Sequence, residues 1–284
     1  MKNASILIAT SMDATTRELS KTLEAIRAIP ARAVVAVVGD MPVFPYYAVG
    51  VAPYGMADFP PEWQENVAVR KEALKAKGDE IEQLLQKHDV SGEVCTIACE
   101  LAYVAENVAR RAMLCDMAFI TSDLRESDAL FQQVANGVLF QSPIGVVVND
   151  FGAEALSAPK RVFVAWDTDM HAARAVHQAL PLLRQADEVT LGCIDPVMTE
   201  YRDGEDPGAD AAKWLTHHGC NVTVQQYPSG GLSIGESLLE RAKDSGADLI
   251  VMGAYGHSRI RNLIIGSTTT AMVQSCHVPV LLFR

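Results

Sequence analysis

Two stretches, Ser5-Ile-Leu-Ile-Ala-Thr10 and Arg161-Val-Phe-Val-Ala-Trp166, are short apolar runs of strand type. Each is followed by a helical stretch, Ala14 to Ala28 in the first case and Met170 to Leu183 in the second. A further apolar run then follows in each, Ala33 to Val38 and Val189-Thr-Leu-Gly-Cys-Ile194. The later parts also match. Glu106-Asn-Val-Ala-Arg-Arg-Ala112 parallels Glu236-Ser-Leu-Leu-Glu-Arg-Ala242, both with helical spacing of apolar residues. An Asp and a strand come next, Asp116-Met-Ala-Phe-Ile120 and Asp248-Leu-Ile-Val-Met252. Each half closes on a Pro-led run, Pro143-Ile-Gly-Val-Val-Val148 and Pro279-Val-Leu-Leu-Phe283. The chain repeats itself.

Alternating strands and helices predict an α/β fold: two tandem, open, mostly parallel sheets of Rossmann-like type with helices on both faces. The expected units are residues 1–149 and 159–284. The linker Asp150-Phe-Gly-Ala-Glu-Ala-Leu-Ser-Ala-Pro159 has the small and turn-forming residues of a boundary. The first unit alone carries an insertion, roughly Met41 to Gln64, rich in Pro, Tyr and Gly. It reads as a surface loop packed on its own aromatics, ahead of a partner-binding or lid loop. Asp79 to His88 reads as a helix with one solvated face.

Composition bounds the function. The 284 residues carry a net charge of −11, which argues against a general nucleic-acid binder and against docking on anionic membranes. A small anionic ligand held by local backbone donors stays open. Six scattered cysteines, several in strand-like runs, read as reduced and mostly buried thiols. No segment approaches the ~20 apolar residues of a membrane span. Lys2 with Ile6-Leu-Ile-Ala9 is too short an apolar run for a signal peptide. A cytoplasmic protein is expected.

The halves differ most after the strand ending in Met252. The second half reads Gly253-Ala-Tyr-Gly256-His257-Ser-Arg-Ile-Arg-Asn-Leu-Ile-Ile-Gly266-Ser267-Thr268-Thr269, then turns helical through Met272 and Val273. Ligands of open parallel sheets bind beyond the carboxyl ends of the strands. Gly253 stands there, where a side chain would block approach to the backbone, and Gly256 permits a turn. Gly266-Ser267-Thr268-Thr269 falls at a helix start, where free N–H groups, the helix dipole and short hydroxyls favour phosphate. Arg259 and Arg261 add positive charge.

At these residues the chain resembles the universal stress protein family, whose nucleotide-binding members carry this glycine spacing after their fourth strand. The resemblance covers most of the chain as two copies. It implies an adenine nucleotide α-hydrolase-like domain, with closing strands Ile144–Val148 and Val280–Phe283 at pairing edges and the halves forming an intramolecular pseudo-dimer. Burial would also resolve the hazard of an unpaired apolar edge. Homodimerisation of the whole chain is a further expectation. The resemblance implies ATP, alone or with Mg2+, as cofactor. It places an acidic ribose contact at Asp167 and a backbone contact at Cys193; Asp169 is the less favoured candidate, since it lies further into the turn, in a position to cap the helix. The implied binding set is Ala165, Asp167, Cys193, Met252, Gly253, Gly256, His257, Gly266, Ser267, Thr268 and Thr269, with no metal site formed by the protein alone.

The first half departs from the pattern. Ser11 stands in place of Asp167, and Thr121-Ser-Asp-Leu-Arg-Glu-Ser-Asp-Ala-Leu-Phe131 has no glycine pair. Asp123, Glu126 and Asp128 are expected to repel phosphate, so ATP binding falls to the second half alone. Three decoys are set aside. Ser229-Gly-Gly-Leu-Ser233 reads as a turn with Ser233 capping a helix. His217-His218 reads as solvent-exposed, and His88 with Cys95 and Cys99 as no metal site. No nucleophile–base constellation, Walker lysine motif or paired-carboxylate signature is present. The expected role is therefore a stress-response binding or signalling protein with any ATP hydrolysis slow. The alternatives are a genuine slow ATPase and a nucleotide-free interaction scaffold.

Overall fold

The computed structural model describes residues 3–29, 31–45, 60–151, 153–201, 203–254, 267–274 and 278–284. The first half runs β1 (Ala4–Ser11), α1 (Thr16–Ala28), β2 (Ala31–Asp40), α2 (Pro61–Lys87), β3 (Gly92–Cys99), α3 (Leu101–Ala112) and β4 (Met117–Ile120). A 3-10 turn (Ser122–Glu126), α4 (Asp128–Gln141) and β5 (Gly145–Val148) complete it. The short α5 (Glu154–Ser157) leads into β6 (Arg161–Ala165), α6 (Met170–Leu183), β7 (Glu188–Ile194), α7 (Ala209–His217), β8 (Val222–Tyr227), α8 (Ile234–Asp244), β9 (Leu249–Gly253), α9 (Ser267–Gln274) and β10 (Val280–Phe283).

The ten strands form one sheet in the order β3-β2-β1-β4-β5-β10-β9-β6-β7-β8. Neighbours within each half are parallel. The closing strands meet antiparallel, with Val147 opposite Leu281. The expected pairing of Ile144–Val148 with Val280–Phe283 is thus the seam of the molecule. Its strands read as continuous apolar runs because helices cover both faces. One face carries α1, α2, α5, α6 and α7, packed on residues such as Ile6, Ile8, Val162, Val164 and Leu281. The other carries α3, α4, α8 and α9 on Leu7, Ala9, Phe163, Ile250 and Leu282. Each hydrophobic layer therefore runs through both halves.

Local chemistry sets several helix starts. Thr15 and Glu18 form a capping box on α1, and Ser233 and Glu236 form another on α8. The Ser233 cap is as read from the sequence. Glu18 and Glu236 sit below the usual carboxylate range, chiefly because the cap hydroxyls of Thr15 and Ser233 donate to them.

Two expectations need correction. The helix expected over Asp79–His88 begins much earlier, at Pro61, inside the stretch taken as an insertion loop. Proline suits a first helical position, where no N–H bond is lost. The linker is also structured. The Asp150 carboxylate accepts from the N–H groups of Glu154 and Ala155 at 3.1 and 2.9 Å, starting α5, and Leu156 is fully buried. Of the insertion, residues 46–59 lie outside the described residues. At its ends the rings of Phe44 and Trp63 meet edge-on at 5.2 Å, and Trp63 Nε1 donates to the Pro42 carbonyl.

Candidate functional site

In the second half the strand order reverses between β9 and β6, which makes their carboxyl ends the switch point where such sheets take ligands. β6 ends at Ala165, paired with Gly192 of β7. The chain continues with Trp166, whose N–H donates to the Gly192 carbonyl at 2.9 Å, and then Asp167, which is exposed. Asp169 caps α6 by accepting from the His171 N–H at 2.8 Å, as its sequence position suggested.

The β7–α7 connection folds back over this end. Trp166, Asp167, Cys193, Ile194, Pro196, Asp203 and Pro207 line a small open cleft. The structure thus brings Asp167 and Cys193 together. Asp203 ties the connection down: one carboxylate oxygen accepts from the Thr168 hydroxyl at 2.7 Å and the other from the Val197 N–H at 2.6 Å. Gly208 has φ +86°, and a Cβ there would come within 3.3 Å of Cys193 Sγ. Asp203, Trp166 and Pro207 are cleft residues that the sequence reading missed. The length of the Asp195–Gly208 connection was the available signal, since ordinary βα connections run to ~2–6 residues.

β9 and α9 supply the other side of the switch point. Met252 is buried in the second layer, so its side chain faces the core and only its backbone lies at the strand end. A Cβ on Gly253 would lie 2.6 Å from the His171 carbonyl carbon and 2.8 Å from the Ala172 nitrogen. Glycine at this position is therefore demanded by the first turn of α6, a reason internal to the chain. Thr269 is buried and Thr268 half-buried at the start of α9, while Gly256, His257, Gly266, Arg259 and Arg261 lie outside the described residues.

Residues 159–284 match the Universal stress protein family over their whole length. This part of the chain belongs to the universal stress protein family. A universal stress protein of Synechocystis is 49% identical over 96 residues, covering 31% of this chain and 31% of that protein. One of Methanocaldococcus jannaschii is 31% identical over 49 residues, covering 17% of this chain and 30% of that protein. The chain thus spans only about a third of the length of the curated relatives it matches. A solved universal stress protein from Archaeoglobus fulgidus superposes with a TM-score of 0.68 at 18% identity, covering 100% of this chain and 97% of that one. At that identity the likeness speaks for the fold, and it extends over both halves.

At the same switch point of the first half, between β1 and β4, the chain holds a carboxylate of its own. Asp123 is buried and accepts from the Ser11 N–H at 2.6 Å and from the Thr10 hydroxyl at 3.2 Å. Of the three acids expected to repel phosphate, Asp123 is bound internally, while Glu126 and Asp128 are exposed.

Among the described residues no cluster of His, Cys, Asp or Glu could hold a metal ion, and no helix is long and apolar enough to cross a membrane. His217 is exposed as expected. His218 is half-buried: its ring packs on Trp214 at 4.1 Å, and its Nδ1 lies 2.7 Å from the Trp214 carbonyl oxygen.

The cleft also sets the state of its thiol. Burial, then the charges of Asp203, Asp167 and Asp206, push Cys193 up to about 11. Thiolate is the reactive form, so at pH 8 it should be on the order of a hundredfold scarcer than in a free cysteine. Iodoacetamide at that pH should leave Cys193 unlabelled while a denatured control labels fully. Rapid native labelling, read by peptide mass spectrometry, would contradict this environment.

Proposed function

We propose that the second half of this stress protein binds ATP, one molecule per chain, and that the bound state serves signalling with hydrolysis slow at most. The observation that carries this reading is the contrast between the two switch points. The first half fills the end of β1 with Asp123 and starts α4 with the Ser127 cap and Asp128. The second half leaves Asp167 exposed beside a cleft, and the first turn of α9 contains no acidic residue. A helix start of Ser267-Thr-Thr-Thr270 favours an anion through its N–H groups and dipole.

The donor set suits a nucleotide. A carboxylate at Asp167 accepts bonds from ribose hydroxyls, and the cleft beside Trp166 and Cys193 takes the base. The phosphates then extend toward Gly253, Gly256, His257, Gly266, Ser267, Thr268 and Thr269, with Mg2+ accompanying them when present.

Calorimetric titration with ATP should give a site number near one. Asp167→Ala should weaken binding about tenfold, as expected for a hydrogen bond to a charged group, and Ser11→Ala should not. A site number near two would show the first half to be competent. Absence of binding at millimolar ATP would favour the nucleotide-free scaffold.

A further inference from the structure

α9 is held at its far end by the first half of the chain. The Arg125 guanidinium, from the 3-10 turn after β4, donates through Nη2 to the Val273 carbonyl at 2.5 Å and to the Asn149 side-chain oxygen. Asn149, which follows β5, donates its own amide to the Met272 carbonyl at 3.0 Å. Both acceptors belong to the last turn of α9, where backbone carbonyls lack partners within the helix. The guanidinium also lies 4.4 Å from the centre of the Phe131 ring, and Asp123 fixes the same 3-10 turn to the end of β1. A planar, permanently charged fork pinned this way is pre-organised for its acceptors and complements the negative end of the helix dipole.

A second contact crosses the seam at the end of α4. Arg284, which follows β10 as Asn149 follows β5, sets its guanidinium 4.9 Å from the ring of Phe140, in the last turn of α4. On the near side, α9 is seated against α8, where a Cβ at Gly235 would come within 3.0 Å of Ala271 and 3.4 Å of Thr268. α9 is therefore fixed at one end by its own half and at the other by the neighbouring half.

We infer that Arg125 and Asn149 are positioning residues by which the first half sets the phosphate affinity of the second. They hold α9 in register so that its first turn presents its N–H groups. This rests on the ATP reading for its ligand and on the Arg125–Asn149–α9 contacts for its mechanism. It also gives the first half a role that needs no ligand there. The affected part of the ligand is the triphosphate, because the nucleoside cleft lies at β6 and β7, away from α9.

The test uses the full chain with Arg125→Met, and Asn149→Gly as a second variant that keeps the left-handed φ of 65° at that position. Affinities for ATP and for adenosine are measured by calorimetry, and hydrogen exchange of residues 267–274 is followed without ligand. Faster exchange of α9 and about tenfold weaker ATP binding are expected, with adenosine affinity within about twofold of wild type. Should Arg125→Met fail to fold, Asn149→Gly is read in the same way. Unchanged ATP affinity, or an equal fall for ATP and adenosine, would overturn the inference. If the wild-type chain binds neither ligand, the ATP reading fails; the exchange measurement still decides whether Arg125 holds α9.

Discussion

Gly266→Val is expected to lower ATP affinity by at least about a hundredfold, roughly 2.7 kcal/mol, and to leave the fold intact. Gly266 lies outside the described residues, but α9 begins at the next residue, Ser267. The N–H groups of the first helical turn have no partners inside the helix and are the natural donors to an anion. A β-branched side chain directly before them adds bulk where phosphate oxygens must approach, and it stiffens a backbone position that glycine leaves free. Thermal stability is expected to hold. Adenosine affinity should hold too, because Trp166, Asp167 and Cys193 are untouched. Calorimetry with both ligands, beside a thermal melt, checks all three statements. Unchanged ATP affinity would move the phosphates away from the start of α9. Parallel loss of ATP and adenosine binding would mean that the loop shapes the whole cleft.

The fold was legible where physics is local or where burial is complete. Val162-Phe-Val164 and Leu249-Ile-Val-Met252 are apolar without alternation because both faces of these strands are covered. Repetition of that pattern pointed to a mostly parallel sheet in each half, and the apolar closing strands pointed to the seam. Asp169 and Ser233 announced helix starts because a short polar side chain directly before a helical run accepts from an orphan N–H two or three residues on. The start of α2 was hidden behind the aromatic and proline content of the preceding residues, although Pro60-Pro61-Glu62 carries a start signal of its own. Contacts distant in sequence had no such signal. Arg125 meets Val273 across 148 positions, and Thr168 meets Asp203 across 35. No local pattern of charge or periodicity marks either pair. Asp123 illustrates the limit best. Its presence argued against phosphate in the first half, but only the structure puts its carboxylate on the Ser11 N–H.

Leu281→Asp is expected to unfold the whole chain, the first half included. Leu281 is fully buried at the seam, opposite Val147 on one side and beside Val251 on the other. It belongs to the layer that also contains Ile6, Ile8, Val35 and Val164, so its neighbours come from both halves. Removing such a leucine costs about 2–5 kcal/mol, and placing a carboxyl group without a partner in its space adds several more. Set against a typical stability of about 5–15 kcal/mol, the sum leaves little folded protein. Leu114→Asp supplies the control: at 91% exposed it should shift stability by no more than about 0.5 kcal/mol. Circular dichroism of the purified variants gives the overall loss, and hydrogen exchange resolves it by half. Wild-type protection across residues 1–149 combined with loss across 159–284 would show that the halves carry separate cores. Common loss is the expected result, because each layer of the core is continuous across the β5–β10 seam and a charge placed there has no boundary at which its effect could stop.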